Sequence, residues 1–189
     1  MSIFRSLELP EGLPVPQDDG ATRHLSGMKL PSLPLRATDG STVDLVALKG
    51  RTIVYAYPRT GVPGQALPEG WDAIPGARGC TPQSCSFRDH FRDLQDAGAN
   101  HLFGFSTQDT GYQREMAERN HLPFLILSDE DLKFVRALKL PTFQAAGMEL
   151  VKRLTLVIDD GVITHVLYPV FPPDQSASDT LAWLKANPR

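Results

Sequence analysis

The chain lacks any long hydrophobic run. Its richest apolar stretch, Leu122 to Leu127, has the length of a single buried strand and falls well short of the ~18 residues a membrane-spanning helix needs. No membrane association is therefore expected. Met1 to Gly20 carries Glu8, Glu11, Asp18, Asp19 and several prolines where a signal peptide would have an apolar core, so the expected location is the cytoplasm. Basic clusters are missing as well: 19 Lys and Arg stand against 22 Asp and Glu, for a formal net charge of −3. Without a lysine- and arginine-rich footprint, nucleic acid is excluded as a partner. Histidine is sparse and scattered, at His24, His90, His101, His121 and His165, and there are only two cysteines. A zinc site would lack ligands, and Asp129-Glu130-Asp131 is followed by no calcium-loop spacing, so it reads as an acidic cap at a helix start. Neither a metal nor an organic cofactor is expected.

What is present is a cysteine pair, Cys80 and Cys85, in the run Gly79-Cys80-Thr81-Pro82-Gln83-Ser84-Cys85-Ser86-Phe87-Arg88-Asp89. In a reducing compartment such a pair is more consistent with catalysis, redox sensing or metal binding than with a structural disulfide. Thr81 is placed to cap a helix and Pro82 to take its first position. A thiol at that point faces unpaired backbone N–H groups and the positive end of the helix dipole, which makes Cys80 a candidate reactive thiolate.

The 189 residues suit one domain with a core of its own. Residues 1–20 are rich in proline and acid and read as a loosely packed arm; we place the arm at 1–27 and the domain at 28–189. Segments around Leu33-Pro34-Leu35 and Val43-Asp44-Leu45 flank a turn at Asp39-Gly40, as in a small hairpin. Thr52 to Tyr57 reads as a central buried strand. From Pro58 to Gly79, glycine and proline recur every few residues, the texture of a long loop, and about 65–79 resembles an insertion. Trp71 within it has two readings, a roof over the site or an anchor to the core, and a lid that narrows the pocket is the expected role of the loop.

The helix that follows carries Phe87, Phe91 and Leu94 on one face and is expected to end near Gly98. Strands near His101–Phe105 and Phe124–Leu127 alternate with helices at about Thr110–Asn120 and Asp131–Leu138. Arg153–Ile158 and Val162–Tyr168 then flank Asp159-Asp160-Gly161, a hairpin signal. A last helix spans roughly Ser176–Ala186, with Leu181 and Leu184 on its apolar seam. This order predicts a mixed-sheet α/β sandwich.

A thiol that reduces a peroxide attacks one peroxide oxygen while the other leaves as an anion, so the site must supply positive charge and donors where charge develops. Arginine suits that need because it stays charged and presents a rigid fork. The sulfenic acid formed can be captured as a disulfide by a second cysteine. In a regular helix an i,i+5 pair is offset by about 7.5 Å along the axis, with Cα atoms roughly 8–9 Å apart. Disulfides rarely span more than about 7 Å, so a bond between Cys80 and Cys85 requires the first turns to unwind.

The sequence resembles the peroxiredoxins, specifically their Q-type group, the bacterioferritin comigratory proteins. The likeness is carried by Gly79 to Asp89 and, in order, by Tyr57-Pro58, Gly104-Phe105-Ser106, Leu122-Pro123-Phe124 through Ser128-Asp129, and Arg153 through Asp159. It covers roughly residues 28 to 187. It implies a thioredoxin-like three-layer sandwich, reduction of hydrogen peroxide or organic hydroperoxides, and recycling by thioredoxin or a similar dithiol reductant. Carried over by position, Cys80 is peroxidatic, Cys85 resolving, Arg153 the arginine facing the sulfur and Pro58 the proline that shields it. Monomers or homodimers are the assemblies the resemblance suggests.

One departure stands out: the family hydroxyl three residues before the peroxidatic cysteine is replaced by Ala77. With the insertion excised, Val62 falls at that position. Thr60 is the nearest upstream hydroxyl and the preferred substitute; Thr81, or no hydroxyl at all, are the alternatives. Two competing functions follow. A protein dithiol-disulfide oxidoreductase would want a C-x-x-C pair, which is absent. A redox-regulated interaction or sensor module with little turnover is the other, and the missing hydroxyl is what favours it.

Overall fold

The computed structural model describes residues 8–189. Seven strands form one sheet in the order β2-β1-β5-β4-β3-β8-β9. They are β1 (Leu35–Ala37), β2 (Thr42–Val43), β3 (Arg51–Ala56), β4 (His101–Ser106), β5 (Ile126–Ser128), β8 (Leu154–Asp159) and β9 (Val162–Leu167), while β6 (Thr142–Ala145) and β7 (Met148–Val151) form a separate two-stranded hairpin. β3, β4 and β5 run parallel; β1 joins one side and β8 and β9 the other, all antiparallel. All six residues of β3 are buried, as expected of a central strand flanked on both sides.

Alternation along β3 and β8 separates two cores. Val54, Ala56, Leu154, Leu156 and Ile158 face Phe134, Val135 and Leu138 of α4 (Lys133–Leu138), together with Leu25 and Leu30. Ile53, Tyr55, Tyr57 and Val157 face the other way, toward Phe87 of α1 (Cys80–Asp89), Leu94 of α2 (Phe91–Asp96), Met116 of α3 (Thr110–Arg119), and Leu181 and Leu184 of α5 (Ser176–Ala186). Helices thus cover both faces, the mixed three-layer α/β sandwich expected.

Several local expectations meet the structure with changes. The Asp160-Gly161 turn has positive φ at both residues, 47° and 81°, the geometry a two-residue hairpin loop requires. Asp129 caps α4 as foreseen, its carboxylate accepting from the N–H groups of Phe134 (3.0 Å) and Val135 (2.8 Å). The helix expected to run from Thr81 to Gly98 is divided at His90, whose backbone N–H and ring Nδ1 both engage the Ser86 carbonyl, at 3.1 and 2.9 Å. The capping assignment also changes: Gly79, not Thr81, precedes the first turn, with φ 101°, and Cys80 is the first helical residue. A Cβ at Gly79 would lie 2.4 Å from Pro173 Cγ and 2.8 Å from Leu9 Cδ2, so glycine is required here by space as well as by φ.

The hairpin β6–β7 was not anticipated. It turns at Ala146-Gly147, with φ 49° and 73°, and Gly147 between two short runs is the signal that marks it. Its Phe143, Ala145, Met148 and Leu150 pack against Trp71, Leu67, Ile74 and Ala77 of the 65–79 loop. Trp71 is 3% exposed with its ring centroid 6.1 Å from that of Phe143, which makes it an anchor. The loop is not a featureless insertion, since Trp71–Ala73 form a single 3-10 turn.

In the described part of the arm, residues 8–20, every residue is exposed or half-buried, and its end is tied to the domain through Asp19. Asp19 accepts from Lys152 Nζ (3.0 Å) and Tyr168 Oη (2.9 Å), contacts that hold its carboxyl down to about 2. Residues 1–7 of that arm lie outside the described residues.

At the far end of β3, Arg51 donates to both carboxylate oxygens of Asp159 (2.8 and 2.9 Å) and to the Asn187 carbonyl (2.7 Å), with its guanidinium 5.3 Å from the Trp183 ring centroid. Arg51 holds the Asp159 carboxyl below its ordinary value. A carboxyl depressed in the folded state contributes stability above about pH 4 that is lost as pH falls through its folded value. Asp159→Asn is therefore expected to cost about 2 kcal/mol at pH 7 and to flatten the acid-side loss, read by urea unfolding at pH 7 and pH 3.

Candidate active site

The first turn of α1 lies over the carboxyl end of β3 and the start of β8. Cys80 is 4% exposed. Arg153, at the entry to β8 and 3% exposed, donates from Nη2 to Cys80 Sγ at 3.3 Å. The same guanidinium also donates to the carbonyls of Gly76 (3.2 Å), Ala77 (3.2 Å) and Arg78 (3.1 Å). One side chain thus closes the end of the loop onto the cysteine, a task that needs several donors in fixed directions. Its Nη1 donates to Gln83 Oε1, and Gln83 Nε2 donates to Ser176 Oγ at 3.2 Å at the start of α5. Gln83, fully buried one turn after Cys80, is a site residue the sequence reading passed over. Its only signal was a polar side chain on the inner face of a helix.

Cys80 Sγ also contacts the Ala77 main-chain carbonyl at 3.6 Å, while the Ala77 side chain brings no hydroxyl to the site. Pro58 is buried directly after β3. Thr60 is buried too, but its N–H and Oγ1 lie 2.9 and 3.2 Å from Gln108 Oε1, and Gln108 Nε2 returns a bond to Thr60 O at 3.1 Å. The structure therefore joins Cys80 and Gln83 through Arg153 and ties the Thr60 hydroxyl to Gln108.

Cys85 is a free thiol like Cys80, one helical turn and a half further on and 4% exposed. Its Sγ donates to Asn120 Oδ1 at 3.5 Å, and Asn120 is fixed by Nδ2 donating to Met116 O at 2.8 Å. Burial pushes the Cys85 thiol up, opposed chiefly by the charge of Arg88.

The helix sits on aromatic rings: Phe87 stacks on Tyr55 at 4.2 Å and 7°, and the Tyr55 hydroxyl donates to Ser84 Oγ at 3.0 Å. Burial raises Tyr55 well above its ordinary value. Thr155, opposite Tyr55 across the β3–β8 ladder, and Ser86 on the helix have buried hydroxyls without a hydrogen-bond partner among the described residues. Each such group costs about 1–3 kcal/mol, so both α1 and the strand β8 beside β3 carry an incompletely satisfied hydroxyl.

Residues 25–183 match the redoxin family. The chain is 32% identical over 162 residues to the chloroplastic peroxiredoxin Q of Oryza sativa subsp. japonica, covering 85% of this chain and 66% of that protein. This chain thus spans about two thirds of the rice relative's length. It is 31% identical over 160 residues to peroxiredoxin Bcp of Escherichia coli strain K12, covering 82% of this chain and 92% of the relative. The chain belongs to the peroxiredoxins. Its fold agrees: the crystal structure of peroxidoxin BcpB from Mycobacterium tuberculosis superposes with a TM-score of 0.67 at 25% identity, covering 87% of this chain and 98% of that one. The peroxiredoxin sandwich is thioredoxin-like, as expected. Among the described residues, no helix is long and apolar enough to cross a membrane.

Proposed function

We propose that this peroxiredoxin is a two-cysteine peroxidase in which Cys80 attacks the hydroperoxide, Cys85 resolves the product, and a thioredoxin-type dithiol restores both thiols. The observation that carries this reading is Arg153 Nη2 at 3.3 Å from Cys80 Sγ, at the first position of a ten-residue helix. Cys80 thiolate displaces alkoxide or hydroxide from ROOH; the sulfur gains oxygen and becomes sulfenic acid, and the leaving oxygen takes a proton as ROH or water. Arg153 and the free N–H groups of the first turn face the charge that builds on both oxygens. Pro58 shields the sulfur from water, and the Thr60 hydroxyl, which contacts Gln108 Oε1 at 3.2 Å, serves the peroxide only by leaving that partner.

Resolution joins the two sulfurs and releases water. α1 is continuous from Cys80 to Asp89, so the disulfide forms only when its first turns unwind. The orphan hydroxyl of Ser86, on the helix itself, favours that opening, because it gains water when this stretch unwinds.

The test is to mix reduced protein with one equivalent of hydrogen peroxide, or of an alkyl hydroperoxide, and map the bond formed by mass spectrometry; a dithiol reductant is then added in excess with further peroxide. A Cys80–Cys85 disulfide with sustained consumption supports the reading. Oxidation that stops after one equivalent, with reductant present, would overturn it in favour of a redox-sensing module.

A further inference from the structure

Cys85 and Arg88 are three residues apart on α1, a spacing that puts both on one helix face. Both lean on Asn120 at the end of α3: the thiol donates to Oδ1 at 3.5 Å and Arg88 Nη1 donates to the main-chain carbonyl at 2.9 Å. Arg88 keeps Nε for Asp89 at 2.8 Å. The charged and titratable groups that act on Cys85 are Arg88 and Asp89 from its own helix, Arg119 from α3 and Tyr55 from β3. Arg119 is paired with Glu115 at 2.7 Å, as Arg88 is with Asp89, but of the two only Arg88 shares both the helix of Cys85 and its Asn120 partner. That leaves Arg88 as the cation that accompanies Cys85.

We propose that Arg88 is a positioning residue for the resolving step, compensating charge on Cys85 Sγ as that sulfur attacks Cys80. The inference rests on the two-cysteine peroxidase reading above. Cys85 gives up its proton to solvent and its thiolate attacks the sulfenic sulfur of Cys80. The S–S bond forms, the S–O bond breaks, and hydroxide leaves and is protonated to water. A buried thiol far from any cation is a poor source of thiolate. Opening of the first turns displaces Cys80 and Gln83 from Arg153, whereas Arg88 sits in the same stretch of helix as Cys85 and travels with it. The arginine that serves the first step is therefore not available for the second.

The experiment separates the steps. Reduced wild type, Arg88→Ala and Arg88→Lys are mixed with one equivalent of hydrogen peroxide, and sulfenic acid and disulfide are followed by rapid quench and mass spectrometry from pH 6 to pH 10. Arg88→Ala is expected to slow conversion of sulfenic acid to disulfide about tenfold at pH 7 and to move its pH midpoint up by about one unit, with Arg88→Lys recovering most of the rate. In the Cys80→Ser background, titration of the remaining thiol by its ultraviolet absorbance should show the same upward displacement for Arg88→Ala, a readout independent of turnover. An unmoved midpoint in both measurements, or Arg88→Lys no better than Arg88→Ala, would overturn the proposal. Failure of the peroxidase reading looks different, since wild type itself would then form no disulfide.

Discussion

Cys80→Ser is expected to leave no measurable consumption of hydroperoxide, with or without a dithiol reductant, because the serine hydroxyl is not a nucleophile at neutral pH and nothing in the site activates it. Arg153, the one side chain among the described residues that donates to Cys80 Sγ, is a cation and not a base. Cys85→Ser is the informative companion. The first equivalent of peroxide should disappear as in wild type, the product should stop as sulfenic acid on Cys80, and excess peroxide should drive it to sulfinic acid. Mass spectrometry distinguishes these products by one and two added oxygens. Retained consumption in Cys80→Ser would move the chemistry to Cys85, which lies against Asn120 instead of Arg153.

Arg153→Met is expected to slow oxidation of Cys80 by roughly 10²- to 10³-fold, the loss associated with one well-placed donor to a developing anion. Arg153→Lys should restore little of it. An ammonium is a point charge with three donors, and this position asks one side chain to serve Cys80 Sγ, the Gln83 amide and the carbonyls of Gly76, Ala77 and Arg78 at once. Both variants also leave buried carbonyls without a donor, so a loss of about 1–3 kcal/mol in stability accompanies the kinetic effect. Urea unfolding measures that part separately, and stopped-flow oxidation is then read at temperatures where each variant is fully folded. A wild-type oxidation rate in Arg153→Met would remove the arginine from the reaction.

How much of this site was legible depends on how far each residue's partner lies along the chain. Cys80 and Cys85 announce themselves because thiols at a helix start after a Gly/Pro loop form a local pattern, and Arg153 was reached only through the resemblance of its strand. Gln83 carried no such mark. Its importance comes from Arg153 on one side and Ser176 on the other, 70 and 93 residues away, and a buried glutamine looks like any other helical polar residue until those partners are in place. Thr60 was chosen because it was near in sequence to a vacant family position; the structure commits its hydroxyl to Gln108, 48 residues on. The 65–79 loop and the β6–β7 hairpin were each opaque alone, because the apolar side chains that define them bury against one another.

From the residues alone came what short-range physics dictates: the hairpin turn through Asp39-Gly40, the two-residue turn at Asp160-Gly161, the wholly buried β3, the acidic cap of α4, and a thiol at the N-terminus of α1. Backbone sterics, hydrogen-bond capping and side-chain period act over a few residues, so a local pattern is sufficient for each. Tertiary structure alone decided the seven-strand order, the docking of Trp71 on Phe143, the anchoring of Asp19 to Lys152 and Tyr168, and the closure of the loop by Arg153. Those contacts join segments far apart in the chain, and their energy comes from burial and hydrogen-bond satisfaction that exist only after the layers have packed.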